Sequence, residues 1–262
     1  MRKFFLTAML LIVSTAASAA SLTETVDRTF NVRPGANVTL KNVNGRITVK
    51  AWDQPRVKVV AVKEVEADRD DLKNAMKELR VEFVERDGGL SINTRYPNED
   101  RKGASIFDWM FGDRVQAEVQ YDLMVPRTMN VNVTNTNGSI RLSDVTGRHE
   151  LDTTNGKIEV SRCAGSLDAS TTNGSITAEL QKVAKGQPLS FSTTNGRIEV
   201  AVPANLAVDV DAGTTNGSIH SDLPVTTTKI GSNSLRGSIN GGGTPLRMRT
   251  TNGGISIRSL AK

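Results

Sequence analysis

Thr153-Thr154-Asn155-Gly156-Lys157-Ile158 decides the fold, because the chain keeps returning to it. Thr171-Thr172-Asn173-Gly174-Ser175-Ile176, Thr193-Thr194-Asn195-Gly196-Arg197-Ile198, Thr214-Thr215-Asn216-Gly217-Ser218-Ile219 and Thr250-Thr251-Asn252-Gly253-Gly254-Ile255 follow. Asn135-Thr136-Asn137-Gly138-Ser139-Ile140 precedes them, and a worn copy, Ser234-Leu235-Arg236-Gly237-Ser238-Ile239, fills the widest gap. An early outlier stands at Asn42-Val43-Asn44-Gly45-Arg46-Ile47. Counting from the Asn, the residue three places on is Ile in every copy, and the residues four and six places back tend to be apolar. Each copy therefore reads as strand, Asn-Gly turn, strand, with one buried face. The spacing of about 20 residues is that of a stacked array.

Two architectures fit this pattern. Asn-Gly between alternating strands is a strong signal for a tight hairpin, which would give an antiparallel hairpin meander. In a β-solenoid each copy is one coil, and like positions stack at about 4.8 Å. A hairpin needs little beyond Asn-Gly, yet Thr-Thr recurs before it. Direct stacking gives those residues a purpose, as threonine ladders above an inward ladder of Asn137, Asn155, Asn173, Asn195, Asn216 and Asn252. The sequence thus predicts an all-β β-solenoid of about eight coils, roughly 35–40 Å long.

Upstream of the array the pattern is less regular. Val115 to Val125 alternates as a long strand ended by Pro126. Leu72, Ala75, Met76 and Leu79 fall at helical spacing, which predicts one short helix insertion over about 70–80, with Asp68 and Asp71 as its capping pair. Residues 98–113 read as a polar loop carrying an apolar cluster, Ile106, Phe107, Trp109, Met110 and Phe111. That cluster is either a partner-binding patch or a lid over the β stack.

Residues 1–19 read as a signal peptide: Arg2 and Lys3, the apolar run Phe4 to Val13, then Ala17-Ser18-Ala19 as a cleavage site. No cysteine follows that site to carry a lipid. No later stretch is long and apolar enough for a transmembrane helix. The expectation is a periplasmic or secreted protein, with residues 20–130 as the N-terminal part of the solenoid and 131–262 as its regular repeats. The formal net charge of +5, two units of it in the leader, gives no basis for nucleic-acid binding. The one cysteine, Cys163, excludes an internal disulfide and reads as a small buried hydrophobe.

The recurrent Asn-Gly-x-Ile units, Val43-Asn44-Gly45-Arg46-Ile47-Thr48-Val49 followed by Trp52, and Val125-Pro126 before the main array resemble the bacterial putative-adhesin β-strand-repeat family. The resemblance covers nearly the whole chain after the leader. It implies an exported or envelope-associated domain of unknown function, similar to right-handed β-helices, and carries over no catalytic residues.

The search for chemistry yields little. His149 and His220 fall at different coil positions, fit no metal-ligand spacing, and read as surface or corner residues. Neither a nucleophile elbow nor a phosphate loop is present in the sequence. If the copies stack, Glu150 and Asp168 are neighbours with Asp152 close by. That trio is a candidate cation site or carboxylate pair for glycan cleavage. The favoured reading is a solvated acidic patch relieved by Arg148, Lys157 and Arg162. No cofactor or resident metal is expected. The leading function is therefore a non-enzymatic envelope scaffold or adhesion module whose partner is an envelope protein or a glycan. The alternative is a polysaccharide-cleaving β-helix enzyme. The chain ends soon after Ile257, which leaves the last coil uncapped and points to end-to-end self-association.

Overall fold

A computed structural model describes residues 12–15, 20–97, 115–183, 186–231 and 233–260. Among them one helix accompanies 21 strands joined in a mixed sheet. The pairings resolve into two series of strands, joined at the Asn-Gly corners.

The strands before the corners pair in parallel, in the order Gly89–Arg95, Asn37–Lys41, Asn130–Asn137, Thr146–Asn155, the second half of Ile158–Asn173, Leu189–Asn195, Thr244–Asn252 and Val208–Asn216. The strands after the corners run alongside: Val115–Pro126, Ile47–Trp52, Ile140–Ser143, the first half of Ile158–Asn173, Ile176–Lys182, Ile198–Val202, Ile255–Ser259 and Ile219–Ser221. The strands on either side of an Asn-Gly, such as Asn130–Asn137 and Ile140–Ser143, pair with their counterparts in other copies and not with each other. The repeat is thus a corner and not a hairpin. The physical reason lies at the glycine, whose N–H donates to the Asn carbonyl of the adjoining copy, as Gly156 does to Asn173 at 3.0 Å and Gly174 to Asn195 at 3.0 Å. That donor is spent between copies and is not available to close a turn within one.

The core sits between the two series. Ile47, Ile140, Ile158, Ile176, Ile198 and Ile255 are buried in register, each contributing about 1.5–3 kcal/mol of transfer free energy. Four places before the Asn, large and small residues complement each other along the stack: Leu151, Ala169, Phe191, Met248, Ala212. All five are buried in this column.

Several expectations need correction. The order in space departs from the order in sequence, because Thr244–Asn252 and Ile255–Ser259 insert between the Asn195 and Asn216 copies. The C-terminal copy is therefore interior, flanked on both sides, and does not form an open end. The worn copy is no coil at all. Ser234–Ile239 runs antiparallel to Val208–Asn216 and to Thr226–Gly231, so it caps one series with a hairpin. Among the described residues, Asn-Gly corners stack in register at Asn44, Asn137, Asn155, Asn173, Asn195, Asn252 and Asn216. The terminal layer is the least protected, and its Ile219 is only partly buried.

The N-terminal part adds antiparallel strands beside the parallel layers of Asn37–Lys41 and Ile47–Trp52. Ala20–Asn31 pairs with Arg56–Ala67, which pairs with Val115–Pro126 along alternating buried residues. Arg80–Arg86 forms a hairpin with Gly89–Arg95 and closes the other series. The helix spans Arg69–Glu78 and packs Ala75 and Met76, with Leu79 just beyond its end, on the antiparallel sheet. Asp68 makes no side-chain cap bond; only its backbone carbonyl accepts, from Asp71 and Leu72.

A side chain at a corner glycine has nowhere to go. A Cβ on Gly174 would lie well under 3.0 Å from the backbone carbonyl of Gly156, and Gly138, Gly156, Gly196, Gly217 and Gly253 meet the same obstacle. Gly174→Ala should therefore cost about 3 kcal/mol or more in urea denaturation, while Thr172→Ala, exposed two residues away, should stay within about 0.5 kcal/mol.

Candidate functional site

Three features outside the core bear on function: the corner ladder, the acidic trio and the buried histidine. At each corner the Asn side chain donates from Nδ2 to Oδ1 of the preceding copy. The steps are Asn137 to Asn44, Asn155 to Asn137, Asn173 to Asn155, Asn195 to Asn173, and Asn216 to Asn252, each at 2.8 Å, and Asn252 to Asn195 at 2.7 Å. This ladder faces outward. Asn155, Asn173, Asn195, Asn216 and Asn252 are exposed, contrary to the inward ladder expected from sequence. The corner swings the Asn away from the core after the strand alternation has ended.

The inward place is taken by the threonine two residues earlier. Thr153, Thr171, Thr193, Thr250 and Thr214 are buried, and each donates its hydroxyl to a glycine carbonyl of the adjoining copy at 2.8–3.2 Å. Asn135 stands in for threonine at the second corner and donates to Gly45 and Gly138, with its own Oδ1 buried and unpaired. The threonine next to each Asn is exposed at Thr154, Thr172, Thr194, Thr251 and Thr215. The corner thus presents a column of hydroxyls beside a column of amides at a spacing of about 4.8 Å. At the exposed Asn155, Asn173, Asn195, Asn216 and Asn252 one ladder bond uses one of the two N–H groups of the amide, so the other can face a ligand.

The ladder ends in a buried polar cluster at the antiparallel sheet. Tyr96 donates to Oδ1 of Asn42 at 2.9 Å and accepts from the backbone N–H of Asn44 at 2.9 Å. Asn44 passes its amide to the carbonyl of Ala117, and Thr94 and Tyr121 share a hydrogen bond at 2.6 Å. Burial raises the hydroxyl pKa of both tyrosines, so they remain neutral donors. No local pattern marks this cluster, because its members come from strands far apart in the chain.

The acidic trio is brought together as the repeat implies: Glu150 lies opposite Asp168, with Asp152 on the same face two residues along. Burial raises the pKa of Asp152, and the charges of Glu150 and Asp168 raise it further. Asn132 donates to Glu150 at 2.7 Å. Two of the three basic residues expected to relieve the patch are engaged elsewhere: Lys157 pairs with Glu159 at 2.6 Å, and Arg162 grips Asp144 at 2.7 and 2.8 Å. Among the described residues no group of three His, Cys, Asp or Glu is placed to hold a metal ion. Ile106, Phe107, Trp109, Met110 and Phe111 lie outside the described residues.

Of the two histidines, His220 is exposed beside Asp222, as expected. His149 is not at the surface. It is 2% exposed, in the core column between Val131 and Leu167, and neither ring nitrogen has a hydrogen-bond partner. Its place six residues before Asn155, a core position in the other copies, was the available signal. Cys163 is buried as expected, and burial lifts its thiol to about 11, which makes it inert.

A family model described as Toastrack DUF4097 matches residues 26–258. The chain belongs to this family. Family members of unknown function are what the resemblance to adhesin-type β-strand repeats implied. Similar solved structures include a candidate cell adhesion protein from Clostridium sporogenes, with 11% identity, a TM-score of 0.40, and coverage of 90% of this chain and 100% of that one. A candidate adhesin from Bacteroides fragilis has 11% identity and a TM-score of 0.42, covering 89% and 96%. A candidate lipid-binding protein from Parabacteroides distasonis has 12% identity and a TM-score of 0.28, covering 90% and 97%. No match was found among curated proteins.

Two measurements probe these features. Burial pushes the His149 imidazole down to about 4, with the nearby backbone of Val145 and Ala164 offsetting only part of the effect. Above about pH 6.5 both folded and unfolded chains hold it neutral. As pH falls toward 4 the unfolded chain takes the proton first, and stability drops by up to about 3 kcal/mol. His149→Leu should remove that share of the acid-limb loss in melts compared at pH 7 and pH 4.5. Asp152→Asn should relieve like-charge repulsion and stabilise the fold by about 0.2–1 kcal/mol at pH 7, and the gain should shrink as the carboxyls protonate in acid.

Proposed function

We propose that the protein is an exported, non-enzymatic envelope module, a right-handed β-solenoid that binds a glycan or an envelope protein along its Asn-Gly corner. The observation that carries this reading is the outward ladder itself. Amides and hydroxyls repeat in fixed register along the stack, matched to a ligand that repeats as well. Each contact is weak, and affinity comes from their number. A polysaccharide offers hydroxyls at regular spacing to such a column, and the columns are already ordered by the fold, so binding costs little side-chain entropy. Membership of a family of unknown function is compatible with this role. No helix among the described residues is long and apolar enough to cross a membrane. The export step rests on the leader read from residues 1–19.

The reading is tested by retention of the protein on immobilised envelope polysaccharides. Retention is expected, without release of reducing or unsaturated ends, and the double variant Thr172→Val with Asn173→Ser should weaken it several-fold while Glu150→Gln leaves it unchanged. Cleavage abolished by Glu150→Gln would overturn the reading in favour of a polysaccharide-cleaving enzyme centred on Glu150, Asp152 and Asp168.

A further inference from the structure

The strand Ala20–Asn31 is the outermost long strand of the antiparallel sheet. One edge pairs along its whole length with Arg56–Ala67. Among the described residues the other edge is met only by the short strand Ile12–Thr15, which covers Ala20 to Thr23 in antiparallel fashion. That edge therefore accepts an added strand. Ile12–Thr15 belongs to the segment read as a leader, so its removal would leave the whole edge open. A long open edge normally carries charges that repel a second strand. Here the charges are arranged differently. Leu22, Val26 and Phe30 face the core side of the sheet, and Glu24 and Arg28 share that side by alternation.

We propose that this edge is a self-pairing surface, on which a second copy of the chain lays its own Ala20–Asn31 strand antiparallel across a two-fold axis at Val26. In that register Leu22 lies opposite Phe30 twice, Val26 lies opposite Val26, and Glu24 lies opposite Arg28 twice. On the outer side Thr23 meets Thr29 and Thr25 meets Asp27. Moving the register by two residues sets each charge against an apolar side chain, and moving it by one turns the apolar residues to the opposite side. The strand is thus complementary to itself in one register. Arg28 is exposed, and Glu24 retains its bond to Lys63 at 3.0 Å, which aims its carboxylate from within the sheet. The interface is isologous and closes as a dimer, joining two three-stranded antiparallel sheets into one. The stack of corners in each copy stays free for its ligand.

This inference rests on the export reading, and the two are tested separately. The chain is produced by export, its N-terminus is read by mass spectrometry, and its association is followed by sedimentation velocity over a concentration series. The expected result is an N-terminus at Ala20 and a concentration-dependent dimer. Arg28→Glu, which sets Glu24 against a second acid, should weaken the dimer about tenfold or more, with the melting temperature unchanged at concentrations where the parent chain is monomeric. Val26→Cys should form a disulfide between copies under mild oxidation, because the two-fold axis places the thiols together. Thr29→Cys should not, since its two copies lie too far apart along the strands. A processed chain that stays monomeric, or that cross-links equally at both positions, overturns the dimer and leaves export standing. A chain that keeps residues 1–19 overturns the export reading. If it still cross-links through Val26→Cys the dimer stands without export, and if it does not the edge belongs to the leader and the dimer falls.

Discussion

Stacked glycines at the corner set the terms for everything else. The carbonyls of Gly138, Gly156, Gly174, Gly196 and Gly253 each receive a buried threonine hydroxyl from the next copy, and their N–H groups donate to the next Asn carbonyl. The same carbonyl lies where a Cβ would stand on the neighbouring glycine. Two backbones approach this closely only if neither carries a side chain at the contact. The corner thereby fixes the vertical spacing, and the register of the isoleucine column and of the outward Asn ladder follows from it. A buried carbonyl left without its threonine would cost about 1–3 kcal/mol, which is why the hydroxyl recurs with the glycine.

A parallel stack has two ends, and this chain treats them differently. At the N-terminal end the antiparallel sheet receives the first corner, and the Asn42, Asn44 and Tyr96 cluster satisfies the polar groups that a further copy would otherwise meet. At the other end the hairpin of Thr226–Gly231 and Ser234–Ile239 closes one series, while the three-residue strand Ile219–Ser221 ends the second. A very short edge strand offers little to pair with, so the stack is blunted without a full cap. The inserted layer, Thr244–Asn252 with Ile255–Ser259, also ties this end to the body of the stack from both sides.

Function in this architecture belongs to what faces out. Cross-copy ion pairs such as Arg249 with Asp211 at 2.6 Å and Arg258 with Glu199 at 3.1 Å occupy much of the charged surface, so those residues serve the stack before any ligand. The amide and hydroxyl columns retain hydrogen-bonding capacity, and the acidic trio holds a charge excess with only Asn132 donating to it among the described residues. These are the places where chemistry at the surface differs from chemistry that the fold has consumed.

By itself the sequence determined the corner and its core. Asn-Gly-x-Ile with alternating apolar flanks specifies which residues turn and which are buried, because strand alternation and the small size of glycine are local properties. The parallel register followed from threonines that a hairpin would not need. It also placed Glu150 beside Asp168, since identical repeats put like positions together. Tertiary structure alone decided the rest. The interior position of Thr244–Asn252 depends on which equivalent edge each copy finds, and equivalent repeats carry no label for that choice. The worn copy became an antiparallel cap because Arg236-Gly237 lacks both the Asn for the ladder and the threonine for the neighbouring carbonyl. The Asn ladder faces outward because the corner breaks the alternation on which its inward placement was reckoned. His149 is buried because its column runs between Val131 and Leu167, and the packing of neighbours outweighs the polarity of one side chain.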